Sequence, residues 1–192
     1  LQIVVAFRML PKEVWQMPKY GTFNLHASLL PNYRGAAPIN WSIINGETKT
    51  GVSTFFIDEK IDTGEMILQE EIDIDEKENA GKLHDELMRI GSLLVLKTVK
   101  LIETGKATTT PQVDIDGINT ASKLNRDNCK IDWKKPIEDI YNLIRGLSPY
   151  PAAWCTILNG SDRLDVKIYK AEKEIESHSK AIGAIISTKK SL

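Results

Sequence analysis

No part of this 192-residue chain holds the run of ~20 apolar residues that crosses a bilayer. A one-sided charge is missing too: 25 basic against 26 acidic residues leave a formal net charge of −1. That balance excludes a wholesale basic nucleic-acid binder but permits a local basic patch. Acids gather at 58–78, and a small basic pair stands at Lys189 and Lys190. Cysteine is scarce. Cys129 and Cys155 lie far apart without metal-ligand spacing, which predicts reduced thiols. Neither G-x-G-x-x-G nor G-x-x-x-x-G-K-[ST] occurs, so a nicotinamide or nucleoside triphosphate site has no support. Among three histidines, His84 lacks the second His of a zinc-protease helix and His178 lies in a polar stretch, so no metal site is expected. No leader pattern opens the chain, which predicts a cytoplasmic protein. What is present, 42% hydrophobic and 27% charged residues, is a globular composition rather than a disordered or fibrous one.

Residues 1–6 form a continuous apolar, β-branched run, which reads as a strand buried on both faces inside a parallel sheet. An interior strand needs neighbours, so an incomplete protein that has lost earlier strands is expected. Pro11 begins a short helix reaching Trp15, and 22–27 alternates as a strand. Pro38 opens a helix through Ile44 that Gly46 closes. Strands at 51–57 and 66–72 are expected to pair antiparallel through the 58–64 loop. The strongest helix is 80–103, with Leu83, Leu87, Ile90, Leu94 and Leu101 near one stripe and Gly105 beyond its end. Strands alternating with helices argue for an α/β layer fold.

The polar, aperiodic 108–122 reads as a linker between domains. A helix at 136–145 starts at Pro136 and carries Ile137, Ile140, Tyr141 and Ile144 on one face. The pattern is then all β: 153–158, a turn at Asn159-Gly160, 164–171 and 181–187. The chain stops before such a sheet could close into a barrel, so the second domain is also expected to be cut short.

The densest polar cluster is Asn24-Leu25-His26-Ala27-Ser28-Leu29-Leu30-Pro31. On a strand Asn24 and His26 face the same side. An amide and an imidazole at a strand end can both donate to a developing oxyanion. A buried polar pair satisfying a turn is the alternative. The 58–65 loop supplies two candidate carboxylates, one of which could hold the tautomer of His26 and organise a water; a solvated acidic turn is its alternative. Arg34-Gly35-Ala36-Ala37-Pro38 places a cation and small residues where another backbone or a ligand comes close, or simply makes a packing turn.

These residues resemble a known family. The cluster at 24–31, Arg34-Gly35-Ala36-Ala37-Pro38-Ile39 and Ile61-Asp62-Thr63-Gly64 are similar to motifs of the 10-formyltetrahydrofolate-dependent formyltransferases. Ile131-Asp132-Trp133, Ile144-Arg145 and Pro149-Tyr150-Pro151-Ala152-Ala153-Trp154 look like the C-terminal domain of the branch that acts on methionyl-tRNA. The resemblance implies an α/β chain: an incomplete Rossmann-like catalytic domain at 1–106, a linker at 107–124, and an incomplete OB-like β-barrel at 125–192 that helps hold tRNA. It makes Asn24, His26 and Asp62 the catalytic trio, with Ser28, Leu29, Leu30 and Pro31 lining the folate site. Phe7, Arg8, Met9 and Leu10, and the loop from Asp58 to Ile61, would border the pterin pocket. The implied donor is 10-formyltetrahydrofolate as a cosubstrate, without metal or nucleotide, and the implied acceptor is the α-amine of initiator methionyl-tRNA. A cytoplasmic monomer without membrane contact is the expectation. The same motifs admit a formyltetrahydrofolate hydrolase or dehydrogenase-type module, a sugar-nucleotide formyltransferase, or a non-catalytic tRNA-binding remnant.

Overall fold

Alternation along the second strand divides this molecule into a packed side and a chemical side. The computed structural model describes residues 1–6, 9–113 and 116–186. After β1 (Gln2–Val5) and the single-turn α1 (Lys12–Trp15) comes β2 (Thr22–His26), which runs parallel to β1. A short β3 (Arg34–Gly35) and α2 (Pro38–Ile44) lead to β4 (Lys49–Phe56) and β5 (Met66–Asp73), an antiparallel pair. β2 and β4 are antiparallel, giving a four-stranded mixed sheet of order β1-β2-β4-β5. The long α3 (Ala80–Glu103) covers one face of it. Its start is set by Asn79, whose side chain accepts from the Lys82 N–H, and Gly105 in the left-handed region follows its end.

Packing on that face follows from period 2 in the strands and 3.6 in the helix. Val52, Leu83, Leu87 and Leu94 form a core with Ile43 and Ile74, and Leu25 packs against it. Gly91 lets the Leu25 side chain meet the α3 backbone, where a Cβ would stand 2.9 Å from its Cδ2. Thr54 and Thr98 are buried between sheet and helix, their hydroxyls 2.9 Å apart, and Thr98 also donates to the Leu94 carbonyl. The helical stripe therefore runs through Gly91 and Thr98 rather than through apolar residues alone.

β6 (Thr120–Ala121) pairs parallel with β3, and an antiparallel bridge joins Thr110 to Met66. The polar segment expected to be a linker is thus laid along the first half. α4 (Ile137–Gly146) and the hairpin of β7 (Ala153–Asn159) with β8 (Asp162–Ile168) enclose a second core of Cys129, Ile131, Ile144, Leu147, Ala153 and Cys155. Both cysteines are buried free thiols. The two halves are fastened by Arg145, which donates to the Asp75 and Glu78 carbonyls, by Asn40, which donates to the Gly146 carbonyl, and by the Gly81 N–H on the Ser148 carbonyl.

One expectation is met in part and one is corrected. β1 forms and pairs parallel with β2 as expected, but among the described residues it has that one partner only, with Val4 buried and Ile3 and Val5 44% and 57% exposed. Residues 181–186 hold a turn at Ile182 and Gly183 instead of a strand and pair with no strand among the described residues; Ser187 lies outside them. No helix among the described residues is long and apolar enough to cross a membrane.

Candidate functional site

Opposite α3, the sheet carries a row of polar side chains. His26 of β2 stands across from Ser53 of β4, which stands across from Gln69 of β5. Asn24 shares the His26 face and sits opposite Phe55. Just past β2 the chain turns over this row. Ser53 donates to the Ser28 carbonyl at 2.6 Å and accepts from the Leu30 N–H, while the Gln69 amide donates to the Leu30 carbonyl at 2.7 Å and to Ser53. Ser28, fully buried, donates to the Asn32 carbonyl. Gly51 leaves room for the Leu29 side chain, which would otherwise meet a Cβ at 2.6 Å.

The imidazole of His26 is nearly buried and held from both sides. Nε2 lies 2.8 Å from the Tyr33 carbonyl, and since a carbonyl only accepts, the proton belongs on Nε2. Nδ1 is then turned toward Asp62, whose Oδ2 is 3.8 Å away. Tyr33 holds its backbone in the left-handed region at φ 60° and sinks its ring into the first half. Its hydroxyl donates to Glu47 at 2.5 Å and accepts from Asn45 and Asn119. Burial, then the Glu47 hydrogen bond, pushes the Tyr33 hydroxyl well above its ordinary value, so it stays protonated.

Asp62 arrives on the loop between β4 and β5. The Asp58 carboxylate organises that loop, accepting from the Lys60 N–H and the Thr63 hydroxyl. Gly64 closes it: a Cβ there would lie 1.7 Å from the Phe56 carbonyl oxygen, so glycine is the residue that fits. Asp62 itself has φ 55°, a conformation that Asp tolerates at a cost of about 1–3 kcal/mol. Its Oδ2 accepts from the Gly35 N–H at 2.9 Å. The carboxylate and the imidazole are both largely buried, with side chains 13% and 8% exposed, where charge is poorly screened.

The structure thus brings Asn24, His26 and Asp62 to one face. The Asn24 amide has no side-chain partner among the described residues. Leu29 and Pro31 are half-exposed over the face, whereas Ser28 and Leu30 bury their side chains beneath it and shape the turn from inside. Met9 and Ile61 are exposed, Leu10 is half-buried, and Asp58 is engaged within its own loop. Phe7 and Arg8 lie outside the described residues. Two depressions of about 550 and 660 Å³ lie elsewhere, one between α2 and α4 and one at the start of α3. The trio instead lies where β2, between β1 and β4, meets the loop from β4 to β5. Among the described residues no three His, Cys, Asp or Glu side chains gather to hold a metal.

Ser53, Gln69, Tyr33 and Gln112 support this site without having been expected there. Ser53 was signalled by a hydroxyl within a strand otherwise fit for burial, since a buried hydroxyl needs a partner. Gln112 had no local signal. Its amide nitrogen donates to the Asp62 and Gly64 carbonyls at 3.0 and 2.7 Å, and its oxygen accepts from the Arg34 guanidinium.

Comparison with known proteins bears on this arrangement. The family described as "Formyl transferase" matches residues 1–99, and "Formyl transferase, C-terminal domain" matches residues 123–192. The methionyl-tRNA formyltransferase of Flavobacterium johnsoniae is 65% identical over 192 residues, which is 100% of this chain and 61% of that protein. Its counterpart from Flavobacterium psychrophilum is 62% identical over the same shares of both. The solved N-formyltransferase from Helicobacter canadensis, in complex with folinic acid and dTDP-3-aminofucose, has a TM-score of 0.60 at 32% identity. That match covers 65% of this chain and 46% of the other. The chain therefore spans about 61% of the length of the curated relatives it matches.

Proposed function

Because this chain belongs to the formyl transferase family, we propose that its Asn24–His26–Asp62 face transfers the formyl group of 10-formyltetrahydrofolate to the α-amine of initiator methionyl-tRNA, as a cytoplasmic step that prepares translation initiation. The observation that carries this reading is the His26–Asp62 pair, with Nδ1 aimed at a carboxylate that a backbone N–H holds in place. The substrate assignment rests on relatives named for that reaction at 65% and 62% identity.

The neutral amine attacks the formyl carbon, and the carbonyl becomes a tetrahedral oxyanion. With Nε2–H committed to the Tyr33 carbonyl, His26 donates to that oxyanion through Nδ1–H as an imidazolium whose charge the Asp62 carboxylate balances. The Asn24 amide is the second donor. Donors fixed in advance stabilise developing charge without reorganising at the moment of reaction. Asp62, acting through a water, takes the proton from the attacking nitrogen and returns it to N10. The bond from carbon to N10 then breaks, leaving formylated methionyl-tRNA and tetrahydrofolate. Leu29 and Pro31 flank the donor over the turn, and the chain beyond β1 at Met9 and Leu10, with the exposed Ile61, borders the pterin.

Turnover of methionyl-tRNA with 10-formyltetrahydrofolate tests this in the protein that carries the chain. Asn24→Ala, His26→Ala and Asp62→Ala are each expected to lower kcat by ~10²–10³, with circular dichroism unchanged. Near-normal formylation by these variants sinks the assignment. Formate release without formylated tRNA would instead mean that water is the acceptor.

A further inference from the structure

Among the described residues the Asp62 carboxylate accepts one hydrogen bond, from the Gly35 N–H. The Asp62 backbone lies in the left-handed region, a conformation that persists where surrounding contacts hold it. We propose that Gln112, on the segment joining the two halves, is the positioning residue that fixes this backbone and thereby sets the aim of the carboxylate at His26. The proposal rests on the role given to Asp62 above.

Gln112 uses its whole amide for this purpose. The nitrogen donates to the carbonyls of Asp62 and Gly64, at 3.0 and 2.7 Å. The oxygen accepts from Nε and Nη2 of Arg34, at 3.1 and 2.9 Å. Chemistry fixes this orientation, because carbonyls only accept and a guanidinium only donates. Arg34 is the residue before Gly35, whose N–H holds the Asp62 carboxylate. A closed ring results, running from the Asp62 carboxylate through Gly35, Arg34 and Gln112 to the Asp62 carbonyl. Both ends of one residue are clamped by it. An amide does this without placing a new charge beside the carboxylate, which a Lys or Arg at this position would do. Asparagine would fall one methylene short, and glutamate would face two carbonyls with acceptors alone.

Register brings Gln112 to the loop. Two residues earlier, Thr110 exchanges both backbone bonds with Met66 at 2.9 Å each. Attachment of the segment does not need Gln112, since that bridge, the β3–β6 pairing and the bond from Trp41 to the Ser122 carbonyl all remain without it. A mere fastening role and a positioning role therefore predict different results.

The test uses Gln112→Leu, which removes every polar contact at similar size, and the near-isosteric Gln112→Glu, which keeps the acceptor for Arg34 and loses both donors. Amide hydrogen exchange is followed residue by residue by NMR. The expectation is that exchange at Gly35 rises at least ~10-fold in both variants while Ala36 and Ala37, bonded to the Ala121 carbonyl, keep their protection. The same variants are expected to lower kcat for formyl transfer on the order of 10- to 100-fold with the KM for the formyl donor unchanged. Unchanged protection at Gly35 overturns the proposal, as does parallel loss at Gly35, Ala36 and Ala37, which marks a fastening residue. If the unsubstituted protein transfers no formyl group, the reading of its function fails, and the exchange data alone still decide what Gln112 does.

Discussion

Tyr33 serves the site from both ends of one residue. Its carbonyl fixes the His26 tautomer, and its hydroxyl ties Glu47, Asn45 and Asn119 together. Tyr33→Phe removes the second function and keeps the first. Half-buried Glu47 loses a donor and the exposed Asn45 and Asn119 lose an acceptor that water can replace, which is expected to cost about 0.5–1.5 kcal/mol, read as a lower urea midpoint at unchanged slope. Because the carbonyl stays, kcat is expected to fall far less than in His26→Ala; an equal fall means the ring, not the carbonyl, sets the imidazole. At this scale the sequence discloses Asn24 and His26 through strand period, and Asp62 through its motif alone, since its loop reads equally as a solvated turn. It is silent on Gln112, which meets Asp62 across 50 residues of chain. Local spacing rules reach one strand or one helical turn, and Tyr33 acts through a backbone atom that side-chain chemistry does not advertise.

Among elements, α3 is where core energy concentrates. Leu87 is 2% exposed within the sheet–helix core, so Leu87→Ala is expected to cost about 2–5 kcal/mol. Leu96, 66% exposed on the same helix, is expected to change stability by no more than about 0.5 kcal/mol when shortened. Chemical denaturation of the two variants checks the contrast, and equal losses would mean that α3 is packed on a different stripe. The span of this helix was readable because amphipathic period and Gly105 as stop agree, and the structure adds Asn79 as its cap. The 181–186 stretch was misread as a strand, and β1 formed without the cover expected on both sides. Apolar, β-branched composition states that a segment suits a sheet, not that a neighbour will lie on each side of it.

For the whole molecule, alkaline pH is the revealing variable. Burial pushes the Cys129 and Cys155 thiols up, and burial with the Glu47 bond does the same to the Tyr33 phenol. All three stay protonated in the folded state at a pH where the unfolded chain has begun to ionise them. The folded state then binds more protons, so unfolding free energy falls as pH rises. Stability is expected to be at its full value below about pH 8.5 and to decline above it, by up to ~1.4 kcal/mol per group for each pH unit. Guanidinium midpoints measured under reducing conditions at pH 7, 8.5 and 10 check this, and a flat series refutes it. Arg145 is the opposite case, since burial lowers its value without bringing it near titration, and it clamps the two halves throughout this range.

The two-residue rhythm of β2 has an evolutionary corollary. Leu25 packs on the helix-facing core and His26 lies on the face proposed as reactive, one step apart along the same ribbon. Sliding that ribbon by a single position against β4 would entomb the imidazole beneath α3 and strand the leucine in solvent. Misfolding in this way would therefore erase the proposed reactive face and the packed core together, so selection for either guards the other.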